Sequence, residues 1–174
     1  MLWMGAALAA PARADGIEVR KAALISAEDG YVLEAEFDVT LTHTLEEALN
    51  KGVPLYFMLD FELVRPRWYW LSAKLANARQ QYRLSYNALT LQYRVGVRTL
   101  YQNFASLPEA LAFMSRVRVR EIAETGALSR GNSDTAALRL RLDSSLLPRP
   151  FQVSAMGSRE WSLSSDWHRW TVSP

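Results

Sequence analysis

The chain contains no cysteine. That single absence excludes disulfides, thiolate nucleophiles and thiolate metal sites. Histidine is scarce as well: His43 and His168 are the only two among 174 residues. They leave little material for a metal centre or for proton transfer near neutral pH. The eight glycines fall mostly at turns and build no phosphate-cradling loop. No G-x-S-x-G nucleophile elbow occurs, because Met156-Gly157-Ser158-Arg159 does not extend to one. The apolar run at residues 2–10 is too short to cross a bilayer as a helix, and no transmembrane span is expected in the mature chain.

That run is informative about location. Pro11 interrupts it, and Ala12-Arg13-Ala14 has the small-x-small form of a signal-peptidase site, with no basic residue ahead of the run. Residues 1–14 are therefore expected to be a signal peptide, and 15–174 a single domain. An exported chain without cysteine points to the periplasm of a Gram-negative cell. Lysine plus arginine number 20 against 18 acids, and the leader would take Arg13 with it. A nearly neutral mature chain gives no reason to expect nucleic acid.

What is present is apolar and aromatic. Apolar residues make up 49% of the chain and charged ones 22%, which is globular rather than disordered. Six tryptophans, seven tyrosines and six phenylalanines suffice for a core without staples. A chain of this length buries roughly 70% of its unfolded surface. Apolar residues recur at every second position: Ile17 and Val19, then Tyr31, Leu33, Ala35, Phe37 and Val39, as half-buried strands require. Asp29-Gly30 supplies a hairpin turn between them. The next strand reads LYFMLDFELV, with Leu55, Phe57, Leu59, Phe61 and Leu63 on one face and Asp60 and Glu62 on the other. Pro66 marks its end or a bulge. Further strands are expected at Tyr82–Tyr86, at Leu89–Val97, around Val117–Ile122, and at Leu138–Leu142. Thr44-Leu45-Glu46-Glu47 and Ser106-Leu107-Pro108-Glu109 match capping boxes, each opening a short helix. The expectation is a mainly β protein: an antiparallel β-sandwich, compatible with an immunoglobulin-like architecture, with two short helices.

No catalytic residue, cofactor or metal site is expected. His43 with Glu46 and Glu47 has helical spacing but fits no zinc pattern, and Asp60 with Glu62 reads as an ordinary outer strand face rather than an acid–base pair. Two constellations suit binding. Arg116, Arg118 and Arg120 alternate on one strand, and Arg139 and Arg141 alternate on the next. If the two strands form a hairpin, five guanidiniums share a face that needs acids from a neighbouring strand or an anion to relieve it. The second constellation is RPRWYW at residues 65–70, where Arg65, Arg67, Trp68 and Trp70 are candidate partner contacts. The rings also have a scaffold reading, as core filler and cross-strand partners, and a sugar-platform reading.

The stretches LEEALNKGVPLYFMLDFELVRPRWYW, YRLSYNALTLQYRV, FASLPEAL, LPRPFQV and WSLSSDWHRWTV resemble an uncharacterised proteobacterial family of exported proteins, domain of unknown function 4390. The resemblance runs from about Gly16 to Pro174. It implies export, and a role near a membrane sensor kinase of the nitrogen-regulation type, but carries no catalytic residue, cofactor or ligand. The resulting expectation is a non-enzymatic envelope binding protein that engages another envelope protein, such as the periplasmic part of a sensor histidine kinase. The alternative is a carrier or sensor of anionic lipid or lipopolysaccharide, which needs an apolar pocket between the sheets beside the arginines. A hydrolase, the third reading, would need His43 or His168 as its base.

The leader generates a direct expectation. Expressed whole in a Gram-negative host, the protein should appear in the periplasmic fraction with Asp15 at its N-terminus by intact mass. A full-length product in the cytoplasm would remove the export reading.

Overall fold

The computed structural model describes residues 16–67, 72–124, 126–128 and 133–172. Strands β1 (Gly16–Ala27) and β2 (Gly30–Thr40) form the expected hairpin. Gly30 closes it with φ 131°, a backbone conformation glycine adopts without a steric cost. The register slips between Val19 and Lys21, so Arg20 is the extra residue of a bulge, and it pairs with Asp38. Helix α1 (His43–Asn50) begins earlier than the capping box implies. Thr42 is the cap, its hydroxyl accepting from the Leu45 N–H at 3.2 Å. The Thr44 hydroxyl instead donates to Glu160 Oε2 at 2.9 Å.

Strand β3 (Leu55–Arg65) stops before Pro66, as a residue lacking an N–H dictates. A meander follows: β4 (Ala73–Asn87), β5 (Gln92–Val97) and β6 (Leu100–Phe104). Leu89 and Leu91, expected in line with β5, sit in the turn instead. The Asn87 side-chain oxygen accepts from the N–H groups of Leu89 and Thr90, at 2.9 and 3.3 Å, and Leu91 takes φ 54°. That local bonding outcompetes the ladder, and it leaves Leu89 94% exposed. Helix α2 (Leu107–Met114) is capped by Ser106, whose hydroxyl accepts from the Glu109 N–H at 3.4 Å. Strands β7 (Arg116–Ala123) and β8 (Asp134–Leu142) come next. A third helix, α3 (Arg149–Ala155), forms in the LPRPFQV stretch with proline in its first turn, and β9 (His168–Val172) ends the described chain.

All strand pairs are antiparallel, in a three-stranded sheet of order β1-β2-β7 and a six-stranded sheet of order β6-β5-β4-β3-β8-β9. The expected sandwich is therefore present, with three α-helices among the described residues where two were expected. Its inner faces bring Leu33, Phe37, Val117 and Val119 of the small sheet against Phe57, Phe61, Leu84 and Leu140 of the large one. Helix α1 closes one end of this core with Leu45, Ala48 and Leu49. The sheets are unequal. Strand β7 lies over β4, so β5 and β6 extend beyond the small sheet as a wing. Helix α2 covers part of that wing, its Phe113 ring 5.2 Å from Phe104.

Phe61 is 1% exposed and its ring lies 6.4 Å from that of Trp170. Phe61→Ala should lower stability by about 3–5 kcal/mol through lost burial and the cavity left behind. Denaturant unfolding followed by tryptophan emission measures it; a loss under about 1 kcal/mol would mean the two sheets do not close on this ring.

Candidate functional site

The five arginines expected on one face are divided between the sheets. Strand β7 pairs with β2, placing Glu34 opposite Arg118 and Glu36 opposite Arg116, whereas β8 pairs with β3 and β9. Arg118 Nε lies 3.4 Å from Glu34. Parity predicted each strand's own faces but not which neighbour it takes. Simple alternation would also turn Glu121 inward. It adopts φ 53° instead, and this local irregularity leaves Arg120 and Glu121 both exposed while Ile122 stays buried.

Arg65 holds the start of β8 in the second sheet. Its Nε–H and one terminal N–H donate to the two oxygens of Asp134 at 2.7 and 2.8 Å, and the guanidinium also donates to the Ala127 carbonyl at 3.1 Å. Asp134 is fully buried, and its charge is met by a planar fork that fits both oxygens. Arg65 is 22% exposed, so most of it faces the protein. Arg67, two residues on, is exposed. Trp68 and Trp70 lie outside the described residues.

Arg139 and Arg141 project from the outer face of the large sheet toward Asp60. Arg139 donates to Asp60 Oδ2 through a terminal nitrogen and Arg141 through Nε, both at 3.0 Å. Arg79 Nε stands 2.9 Å from Oδ1 but is not aligned to donate a hydrogen bond, so that oxygen is neutralised by charge alone. The Arg139 guanidinium also lies 4.6 Å from the centre of the Trp167 ring. Burial raises the Asp60 pKa, yet the hydrogen bonds and charges of Arg139 and Arg141 outweigh it and hold the carboxyl below its ordinary 3.8. Glu62 pairs with Lys74 at 3.3 Å. The two carboxylates of β3 thus serve ion pairs.

Beside this hub the same face opens into a bowl of about 460 Å³ lined by Tyr56, Arg79, Arg83, Gly96, Arg98 and Tyr101. Arg83 lies 5.9 Å from the centre of the Tyr56 ring, and Arg94 lies 5.9 Å from that of Tyr101. A Cβ at Gly96 would stand 2.7 Å from the Tyr101 ring, so glycine lets that ring rest against the strand. Arg83 and Arg98 have no carboxylate partner among the described residues. Sequence reasoning does not single out this bowl. Arg79 and Arg83 share parity, but placing them beside Tyr56 and Gly96 requires the β3–β4–β5 register.

The histidines lie apart, His43 opening α1 and His168 opening β9. His43 is 87% exposed, with Nε2 3.5 Å from Glu47. The described residues hold no group of three potential metal-ligating side chains of the His, Cys, Asp and Glu types. Nor is any of their helices long and apolar enough to cross a membrane. Of the described tryptophans, Trp161 is buried against the core, while Trp167 and Trp170 are partly covered. Their positions agree with a scaffold role for these rings.

These features define an antiparallel β-sandwich of unequal sheets with an arginine-rich outer face. The family model described as "Domain of unknown function (DUF4390)" matches residues 14–171, and the chain belongs to that family. No curated protein and no solved structure matches it.

Asp60 yields a pH-dependent expectation. A folded-state pKa below the unfolded one contributes stability above the ordinary carboxylate pKa, and that contribution disappears as pH falls through the lowered value. Asp60→Asn should therefore cost about 2 kcal/mol at pH 7. The gap to the unmodified protein should narrow in denaturant titrations below about pH 4. A gap that stays constant on acidification would show that Asp60 does not act through its charge.

Proposed function

We propose that this protein is a non-enzymatic binding module of the cell envelope whose outer sheet face grips an acidic surface of another protein. The observation that carries this reading is the bowl of Tyr56, Arg83, Arg98 and Tyr101. It combines uncommitted guanidiniums with a 58% exposed tyrosine on a rigid sheet. Arginine and tyrosine are the residue types on which binding energy concentrates at protein interfaces. Ordering them costs little when strand pairing already fixes their backbone. The Asp60 cluster supports the face from one side by fixing Arg79, Arg139 and Arg141 around one carboxylate.

The setting we infer is the periplasm, on the leader-like residues 1–14 and the family resemblance. The same resemblance supplies a candidate partner, the periplasmic part of a membrane sensor kinase. Arg67, exposed beyond the other end of β3 from Tyr56, is a separate candidate contact.

A photo-crosslinking residue in place of Tyr101 should give one dominant adduct with a membrane protein in cells. Arg83→Glu combined with Arg98→Glu should reduce the adduct at least tenfold without changing far-ultraviolet dichroism. Adducts only with abundant chaperones, or an adduct indifferent to charge reversal, would refute the assignment.

A further inference from the structure

The inner face of the wing carries a second concavity that the protein-binding reading does not use. It has a volume of about 440 Å³, within the roughly 300–1,000 Å³ range of small-molecule sites. Its walls include Tyr82 of β4, Val95 of β5, Leu100 of β6 and Phe113 of α2, and its margin includes Arg116 and Arg118 of β7. The groove exists because the small sheet ends at β7 while the large sheet runs two strands further. Leu100 is 76% exposed and Phe113 41%, on a wing that the small sheet leaves uncovered.

From this arrangement we propose that the groove binds a single-chain anionic amphiphile: one acyl chain laid along Val97, Leu100 and Phe113, over a floor closed by Tyr82 and Val95, with a carboxylate or phosphate head held by Arg116. Charge complementarity selects the occupant. Arg118 is shared with Glu34, whereas Arg116, opposite Glu36 in the β2–β7 register, lies within 4 Å of no carboxylate oxygen among the described residues. An apolar trough ending at an uncommitted guanidinium matches a molecule that is greasy along its length and anionic at one end. Shape argues against an extended lipid surface, because a bilayer is met by apolar side chains that project. Here the floor of Tyr82 and Val95 is recessed, 3% and 1% exposed, and it is the rim, Leu100 and Phe113, that projects. The site lies across the sheet from the centre of the bowl, with Gln80 and Tyr101 bordering both, and it draws on Arg116 and Leu100, which the protein-binding reading does not use.

Titration of the 15–174 protein with dodecyl phosphate below its micelle concentration, read by calorimetry and by backbone NMR, tests the proposal. Saturable one-to-one binding is expected, with shifts centred on Tyr82, Val95, Val97 and Leu100. Dodecyltrimethylammonium should bind at least tenfold more weakly. Arg116→Glu and Leu100→Asp alter exposed side chains, so the fold should persist by circular dichroism, and each should weaken binding at least tenfold. The proposal is overturned by no saturable binding, by equal binding of the cationic analogue, by unchanged affinity in both variants, or by shifts confined to the outer face. Binding only to anionic vesicles, with none to the monomeric probe, would also overturn it and point to a membrane surface.

Discussion

The grip of Arg65 on buried Asp134 fixes where β8 begins, and the surface of the molecule follows from that placement. A chain leaving β7 at Ala123 has a free edge of its own strand available for a hairpin. Strand β8 instead lies in the other sheet, where Asp134 pairs in register with Val172 and receives both donors of Arg65 from the end of β3. A carboxylate removed from water in this way needs a partner that satisfies both oxygens, and a bidentate guanidinium does so with two bonds under 3 Å. The small sheet consequently remains at three strands, and the large one grows to six. Three strands cannot cover six, so the small sheet leaves both faces of the β5–β6 wing free, and α2 covers only part of the inner one.

Charge is organised by the same pairing. Flanking β3 with β4 and β8 brings Arg79, Arg139 and Arg141 around Asp60, where one acid offsets part of three cations. The face still carries Arg83 and Arg98 without carboxylates of their own among the described residues, and the Tyr56 ring beside Arg83 does not neutralise it. Such a face is tolerable because its guanidiniums reach water. It is also poised for an anion, since most of the cost of gathering like charges is already met by the fold.

The parity of apolar residues along β2, β3, β7 and β8 was legible in the sequence, and parity suffices for a sandwich. Both cap sequences announced helices, although Thr42 caps the first in place of Thr44, and both threonine hydroxyls donate to Glu160, 118 and 116 residues away, a contact that no local pattern contains. Leu89 and Leu91 continue the apolar alternation of β5, and Asn87 overrides it with two side-chain hydrogen bonds. Strand β6 escaped notice because LYQNF is five residues long and exposed on both faces, which gives periodicity nothing to register. The candidate site was the least legible part. An arginine's strand face can be read from its position, but its neighbours depend on pairing between distant strands. The split of Arg116, Arg118 and Arg120 from Arg139 and Arg141 is the direct result.

One period-two rule accounts for the two concavities lying back to back. Tyr82 faces inward and Arg83 outward on β4; Val95 and Val97 face inward while Gly96 opens the outer face of β5. The wing is a single sheet thick, apolar on the side that a fourth small-sheet strand would have covered and basic on the other. A protein gripping the outer face and an amphiphile in the inner groove would hold the same two strands and share Gln80 and Tyr101 at their common border. Any influence of one on the other would pass through these side chains or through the position of the β5–β6 hairpin. That hairpin is anchored along β4, against α2, and to α1 through the Tyr93 hydroxyl, which donates to Asn50 Oδ1 at 2.8 Å; its edge strand β6, exposed along most of its length, offers little packing to resist such a shift.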